Sequence, residues 1–246
     1  MTSPSFRWNA GRAVGERVAF SIAEAQNIYF KLNERRAWRE LCLFALGIDT
    51  MLRASDLLQL RVSDIQDGHK KLRARLVLKQ QKTRYPVYPV LTYASHFACK
   101  MWLQNSGKQK DDFLFTPHRN IHAEPISAGW YRRLVKKWVA DIGLPPENYS
   151  THSLRRTKPL YLYHVKHVDI QHISQLLGHH DIQATSHYLR LQISAAQAEA
   201  MAADIFQEKK DADKNIIPAS ASLLARADIE AVATAVAQKI STFFMK

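Results

Sequence analysis

Apolar side chains recur at gaps of three and four along most of this chain and give way to strict alternation in one central stretch. The first spacing marks one face of a helix, the second a half-buried strand. After a polar, weakly patterned arm at residues 1–20, "SIAEAQNIYFKL" predicts a first helix, with Ser21 and Glu24 three apart as a capping box. "RAWRELCLFALGI" predicts a second, more apolar helix central to the core. "MLRASDLLQL" predicts a turn into a third, with Ser55 as N-cap and Asp56 in its first turn.

From Val62 the period drops to two. "VSDI", "LRARLVLKQ" and "RYPVYPV" predict a small antiparallel sheet whose last turn presents Lys82, with Pro86 and Pro89 placing the final strand at an edge. Helical spacing returns from Leu91 to Leu103. It continues in "SAGWYRRLVKKWVADIGL", where Trp130, Leu134, Val135, Trp138 and Val139 share one face and Arg132, Arg133, Lys136 and Lys137 another. "THSLRRTKPLYLYHV", "VDIQHISQLLGH" and "ATSHYLRL" predict three further helices. Pro159 requires a kink or a helix start near it. Residues 207–246 predict a charged linker and an amphipathic helix whose narrow apolar stripe (Ile229, Val232, Val236, Ile240, Phe243) suits docking on a partner. The fold class is therefore mainly α with a small antiparallel sheet, in three parts: arm 1–20, main domain 21–206 and C-terminal segment 207–246.

Charge narrows the partner. Thirty-five Lys and Arg against 22 Asp and Glu leave a net charge of +13, which calls for a polyanion, most often nucleic acid. The basic face of Arg132, Arg133, Lys136 and Lys137 is the candidate for phosphate-backbone contact. Cys42 and Cys99 each sit in an apolar run, so two packed, reduced thiols are expected. No apolar run is long enough to span a bilayer and no signal-peptide stretch opens the chain, so a cytoplasmic protein without a membrane partner is expected. A zinc site from His164, His167, His172, His179 and His180 would lack cysteines and any H-E-x-x-H pattern, and no metal or other cofactor is expected.

Candidate chemistry lies in four separated stretches. Arg53 stands at a helix entrance and Lys82 at a hairpin tip. His152 and Arg155 are three apart in "THSLRR", on one helix face, and "LLGHHDIQATSHYL" holds His179 with Tyr188 nine residues on. Breaking a DNA phosphodiester without a metal needs a nucleophile, positive charge at the non-bridging oxygens and a proton donor for the leaving 5′ oxygen. Two arginines, two histidines, a lysine and a tyrosine meet that requirement. Guanidinium is planar, permanently charged and able to bind two oxygens at once.

The order Arg, hairpin Lys, H-x-x-R, L-G-H, Tyr resembles the active-site signature of the tyrosine recombinases, the phage integrase family, over roughly residues 25–192. That resemblance implies an integrase catalytic-domain fold and a site-specific recombinase that cuts and rejoins double-stranded DNA through a 3′-phosphotyrosyl bond. Tyr188 would be the nucleophile, Arg53 and Arg155 the phosphate ligands, His152 and His179 hydrogen-bonding partners of the phosphoryl group, and Lys82 the general acid. His152 is also the candidate acceptor for the tyrosine proton. Lys79 competes with Lys82, three residues away, while His180 and His187 are flanking residues. Asp56 takes the place where the family usually has Glu, either supporting the second histidine or favouring the helix N-terminus. The resemblance further implies a tetramer on paired sites, coupled through the C-terminal helix. Because only about twenty residues precede the first helix, short members of the family are the nearest likeness, and an accessory DNA-binding protein is a possible partner. The alternatives are an inactive DNA-binding regulator on the same fold, and a relaxase-like or type IB topoisomerase-like strand transferase.

Overall fold

A computed structural model describes residues 18–117, 120, 124–179 and 182–189. Residues 1–17 of the arm expected at 1–20, and residues 190–246, lie outside the described residues, while Val18, Ala19 and Phe20 at the end of that arm are buried. Helix α1 (Ile22–Glu34) begins where its sequence requires: Ser21 Oγ accepts from Glu24 N–H at 3.2 Å and the Glu24 carboxylate from Ser21 N–H at 2.8 Å. Helix α2 (Trp38–Asp49) is buried on nearly every side, with Leu41 to Leu46 all within the core. That middle run is apolar all round because it has no solvent face. It packs against α5 (Tyr93–Ser106) and α7 (Thr151–His164), and Phe44 meets the Trp138 ring edge-on at 5.6 Å.

Helix α3 (Ala54–Leu58) follows directly, but Ser55 is not its cap. Arg53 takes that position (φ −65°, ψ 151°) with Ser55 inside the helix. The expected strand "VSDI" is also corrected, since Val62–Ile65 forms a short helix, α4. Its two apolar residues are three apart and both buried, so a helical turn hides them together where a strand would also have to hide a polar neighbour.

The expected sheet is present and much reduced. β1 (Leu78–Lys79) and β2 (Pro86–Val87) pair antiparallel, Leu78 opposite Val87 and Lys79 opposite Pro86, and an isolated bridge joins Arg75 to Val90. The alternation holds: Leu76 and Gln80 face inward with Val87, while Arg75, Val77 and Lys79 face out.

α5 ends at Gly107, whose φ of 68° closes the helix. α6 (Ala128–Asp141) is capped by Ser127 and buries Leu134, Val135, Trp138 and Val139. Arg132, Arg133, Lys136 and Lys137 all lie on its exposed side, as its periodicity predicts. α7 starts at Thr151, capped by Ser150, and continues through Pro159 to His164, so a helix start at the proline is excluded. Helices α8 (Ile170–Leu177) and α9 (Ile182–Leu189) complete a second, smaller core of Met51, Leu160, Ile173, Leu177 and Leu189.

Lys158 ties α7 to the main core, its ammonium donating to the Asp49 main-chain carbonyl at 3.0 Å. The Lys158 ammonium reaches the Asp49 carboxylate at 2.5 Å, and the same carboxylate accepts Thr92 N–H at 2.7 Å and Ser95 Oγ at 2.5 Å. Asp49 is 6% exposed, so removing Lys158 alone strands a buried charge. Cys42 and Cys99 are buried free thiols 3.5 Å apart, as expected.

Candidate active site

The carbonyl of Leu177, the last residue of α8, is where the site converges. It accepts from the Arg155 guanidinium at 3.1 Å and from the Gln80 amide at 2.9 Å. Gln80 in turn accepts from Arg53 Nη1 through its Oε1. Arg53 and Arg155, 102 positions apart in the chain, are thus both tied to one backbone carbonyl, Arg155 directly and Arg53 through Gln80. Arg155 is 3% exposed and Arg53 half-buried, so both charges lie in a low-dielectric setting where they act strongly on an anion.

Gly178 makes that convergence possible. It adopts a left-handed conformation (φ 65°, ψ 41°) and closes α8 with the paired bonds Gly178 N–H to Gln175 C=O (3.1 Å) and His179 N–H to Ser174 C=O (3.0 Å). The turn delivers His179 to the arginines. Its Nε2 lies 3.5 Å from Arg155 Nη2 and its Nδ1 2.9 Å from Thr185 Oγ1 on α9. Burial first, then the charges of Arg155 and Arg53, push the His179 pKa down to about 4. The imidazole is therefore neutral at neutral pH.

His152 stands at the exposed first turn of α7, its N–H on Ser150 Oγ at 3.2 Å. Its pKa is also lowered, by desolvation and then by Arg155, Arg156 and Arg53, which keeps it a neutral imidazole able to accept a proton. Lys82 is exposed in the turn at 81–83, closed by Gln80 N–H to Tyr85 C=O at 3.0 Å. Lys79 is one residue out of phase with Gln80 and lines a shallow concavity with Asp56, Gln59 and Asp64. Tyr188 is the penultimate residue of α9; its side chain and that of His187, and the whole of His180, lie outside the described residues. Among the described residues no group of three or more His, Cys, Asp or Glu is placed to hold a metal ion.

Sequence reasoning missed Gln80 and Thr185, 1% and 0% exposed. The available signal for Gln80 was its phase: a polar residue one position past β1, in step with the apolar Leu76 and Leu78. Asp56 sits in the first turn of α3 as expected, and its carboxylate accepts Gln81 N–H at 2.9 Å. That bond ties the helix to the hairpin rather than to a histidine.

Comparison with known proteins identifies the family and the fold. Residues 20–194 match the model of the phage integrase family. Tyrosine recombinase XerC of Caldanaerobacter subterraneus subsp. tengcongensis is 26% identical over 179 residues, 72% of this chain and 48% of that protein. The probable integrase/recombinase YoeC of Bacillus subtilis is 26% identical over 188 residues, 72% of this chain and 91% of that one. The chain thus spans about half the length of the XerC relative. Among solved structures, XerA recombinase superimposes with a TM-score of 0.60 at 20% identity, covering 78% of this chain and 65% of that one. XerH site-specific recombinase bound to difH gives 0.59 at 16%, covering 77% and 56%. These likenesses are to the fold.

Proposed function

The chain belongs to the phage integrase family, and from that premise we propose that it is a site-specific DNA recombinase that breaks and rejoins double-stranded DNA through Tyr188. The observation that carries the reading is the convergence of Arg53, Arg155 and His179 around the Leu177 carbonyl, beside a hairpin turn carrying Lys82 and a helix carrying Tyr188.

Arg53 and Arg155 bind the non-bridging oxygens of the scissile phosphate. Their two positive charges meet a group that carries one negative charge in the ground state and nearly two at the pentacovalent transition state, so the attraction grows along the reaction. The Tyr188 oxygen attacks phosphorus while the bond to the 5′ oxygen breaks. The tyrosine proton passes to His152, neutral for the reason given above, and Lys82 donates a proton to the departing 5′ oxygen. His179 hydrogen-bonds the phosphoryl group. The product is a 3′-phosphotyrosyl linkage and a free 5′ hydroxyl, and attack by a 5′ hydroxyl from a second duplex reverses the step. Phosphodiester energy is conserved in the linkage, so the cycle needs no ATP, and the arginine pair supplies the charge that a divalent metal supplies in other nucleases.

Lys82 is favoured over Lys79 because the turn at 81–83 presents it, while Lys79 is an exposed strand residue out of step with the buried Gln80. The basic side of α6 is proposed to lie along the DNA backbone. A tetramer coupled through the C-terminal helix, working on the chromosome in the cytoplasm, completes the reading.

The test is adduct trapping on supercoiled plasmid bearing the DNA that flanks the gene, with wild type and Tyr188→Phe quenched in detergent. Protein attached to 3′ ends and relaxed topoisomers from wild type alone is the expected result. Tight binding without adduct from either protein would move the assignment to a regulator. Relaxation without joining of two duplexes would move it to a topoisomerase-like transferase.

A further inference from the structure

A primary amide buried to 1% exposure just past β1, in step with Leu76 and Leu78, is costly unless its polar atoms are matched, and the amide of Gln80 is matched on both sides. Oε1 accepts from Arg53 Nη1 and from Thr83 Oγ1 (3.0 Å), and Nε2 donates to the Leu177 carbonyl (2.9 Å) that also holds Arg155. Its main chain closes the turn that presents Lys82, donating to Tyr85 C=O (3.0 Å) and accepting from Arg84 N–H (2.9 Å). A Cβ on Gly178 would stand 2.8 Å from Nε2, so the end of α8 is seated directly on this amide.

We infer that Gln80 is a positioning residue that holds Arg53 in register with Arg155 through a neutral acceptor, leaving the full arginine charge for the phosphate. This rests on the recombinase reading above. The chemistry selects an amide. Glutamate has the same shape, but its carboxylate would neutralise Arg53 and face the Leu177 carbonyl with no proton to donate. Methionine fills the volume and makes neither bond. An arginine with one N–H committed to Gln80 keeps its remaining donors for the two oxygens of a phosphate, with less freedom to lose on binding.

Two measurements on the full chain test this. In the plasmid-adduct assay, Gln80→Met lowers adduct formation by on the order of 10- to 100-fold, the loss expected for a misplaced catalytic group, with plasmid binding within about threefold of wild type. Gln80→Glu is at least as slow. In an Arg53→Lys background, Gln80→Met costs less than about threefold, because Gln80 acts through Arg53. Equal losses in both backgrounds, or a wild-type rate for Gln80→Glu, would overturn the inference. The second measurement needs no DNA: with ¹⁵N-labelled arginine, the Arg53 side-chain signals, assigned from Arg53→Lys, are those of a restrained guanidinium in wild type and of a freely rotating one in Gln80→Met. Unchanged Arg53 signals would equally overturn it. If wild type forms no adduct, the recombinase reading fails by itself and the arginine spectra still judge Gln80.

Discussion

Replacing Gly178 by alanine adds one methyl group at the point where α8, the hairpin and the site meet. Two separate costs follow. An L-residue held at φ 65° in the left-handed region costs about 1–2 kcal/mol. The new Cβ would lie 2.8 Å from Gln80 Nε2 and 2.9 Å from Val87 Cγ1. Val87 is core and Gln80 is pinned by its hydrogen bonds, so relief requires α8 or the hairpin to shift, at about 1–3 kcal/mol for overpacking. The sum, about 2–5 kcal/mol, corresponds to a fall in Tm of roughly 4–20 °C for a domain of this size. Urea unfolding of Gly178→Ala, Gly178→Asn and Val87→Ala, alone and combined, resolves the two costs. Asparagine tolerates the left-handed region, so Gly178→Asn keeps mainly the steric part. In the Val87→Ala background part of that steric cost disappears, as a coupling energy in the double-mutant cycle. A destabilisation below about 0.5 kcal/mol for Gly178→Ala would refute the close-approach argument, since both costs would then be absent.

Four other outcomes are expected. The His179 pKa is depressed to about 4 from 6.5, so its contribution to stability is complete above pH 6.5 and is lost as pH falls through 4. Allowing for its partial exposure, wild type should lose on the order of 1 kcal/mol more than His179→Gln between neutral pH and pH 5, measured by urea unfolding; parallel curves would contradict it. Thr185→Val should lower adduct formation and shift the His179 tautomer balance seen by ¹⁵N NMR, with Thr185→Ser restoring both, because a hydroxyl can accept from or donate to Nδ1 and a methyl can do neither. Changing Arg132, Lys136 and Lys137 to alanine should flatten the salt dependence of DNA binding by about 0.9 in slope for each phosphate no longer neutralised, and an unchanged slope would remove that face of α6 from the interface. Truncation after Gln207 should abolish higher-order assembly on DNA, which sedimentation of the complex reports; an intact assembly would assign the C-terminal segment another role.

What the residues determine alone is whatever depends on near neighbours. The Ser21–Glu24 box, the apolar run Leu41–Leu46 of α2, the two-sided α6 and the three-residue step from His152 to Arg155 each involve partners within one or two turns, and each is where its pattern places it. The same holds for Gly178 before His179, since a left-handed helix end is a local event. Short or ambiguous patterns needed the rest of the molecule. Four residues of "VSDI" satisfy a strand and a helical turn equally well, and burial of Val62 with Ile65 decided for the turn. Ser55 is a good cap by type, yet the chain enters α3 earlier, at Arg53, whose guanidinium is drawn to Gln80. The partners of Gln80, Thr185 and Asp56 lie on other elements, as far as 97 residues away for Gln80 and Leu177, and no local period encodes a meeting over that distance. Tertiary packing alone chose those meetings, because a buried donor or acceptor takes whichever matching group the fold brings within reach.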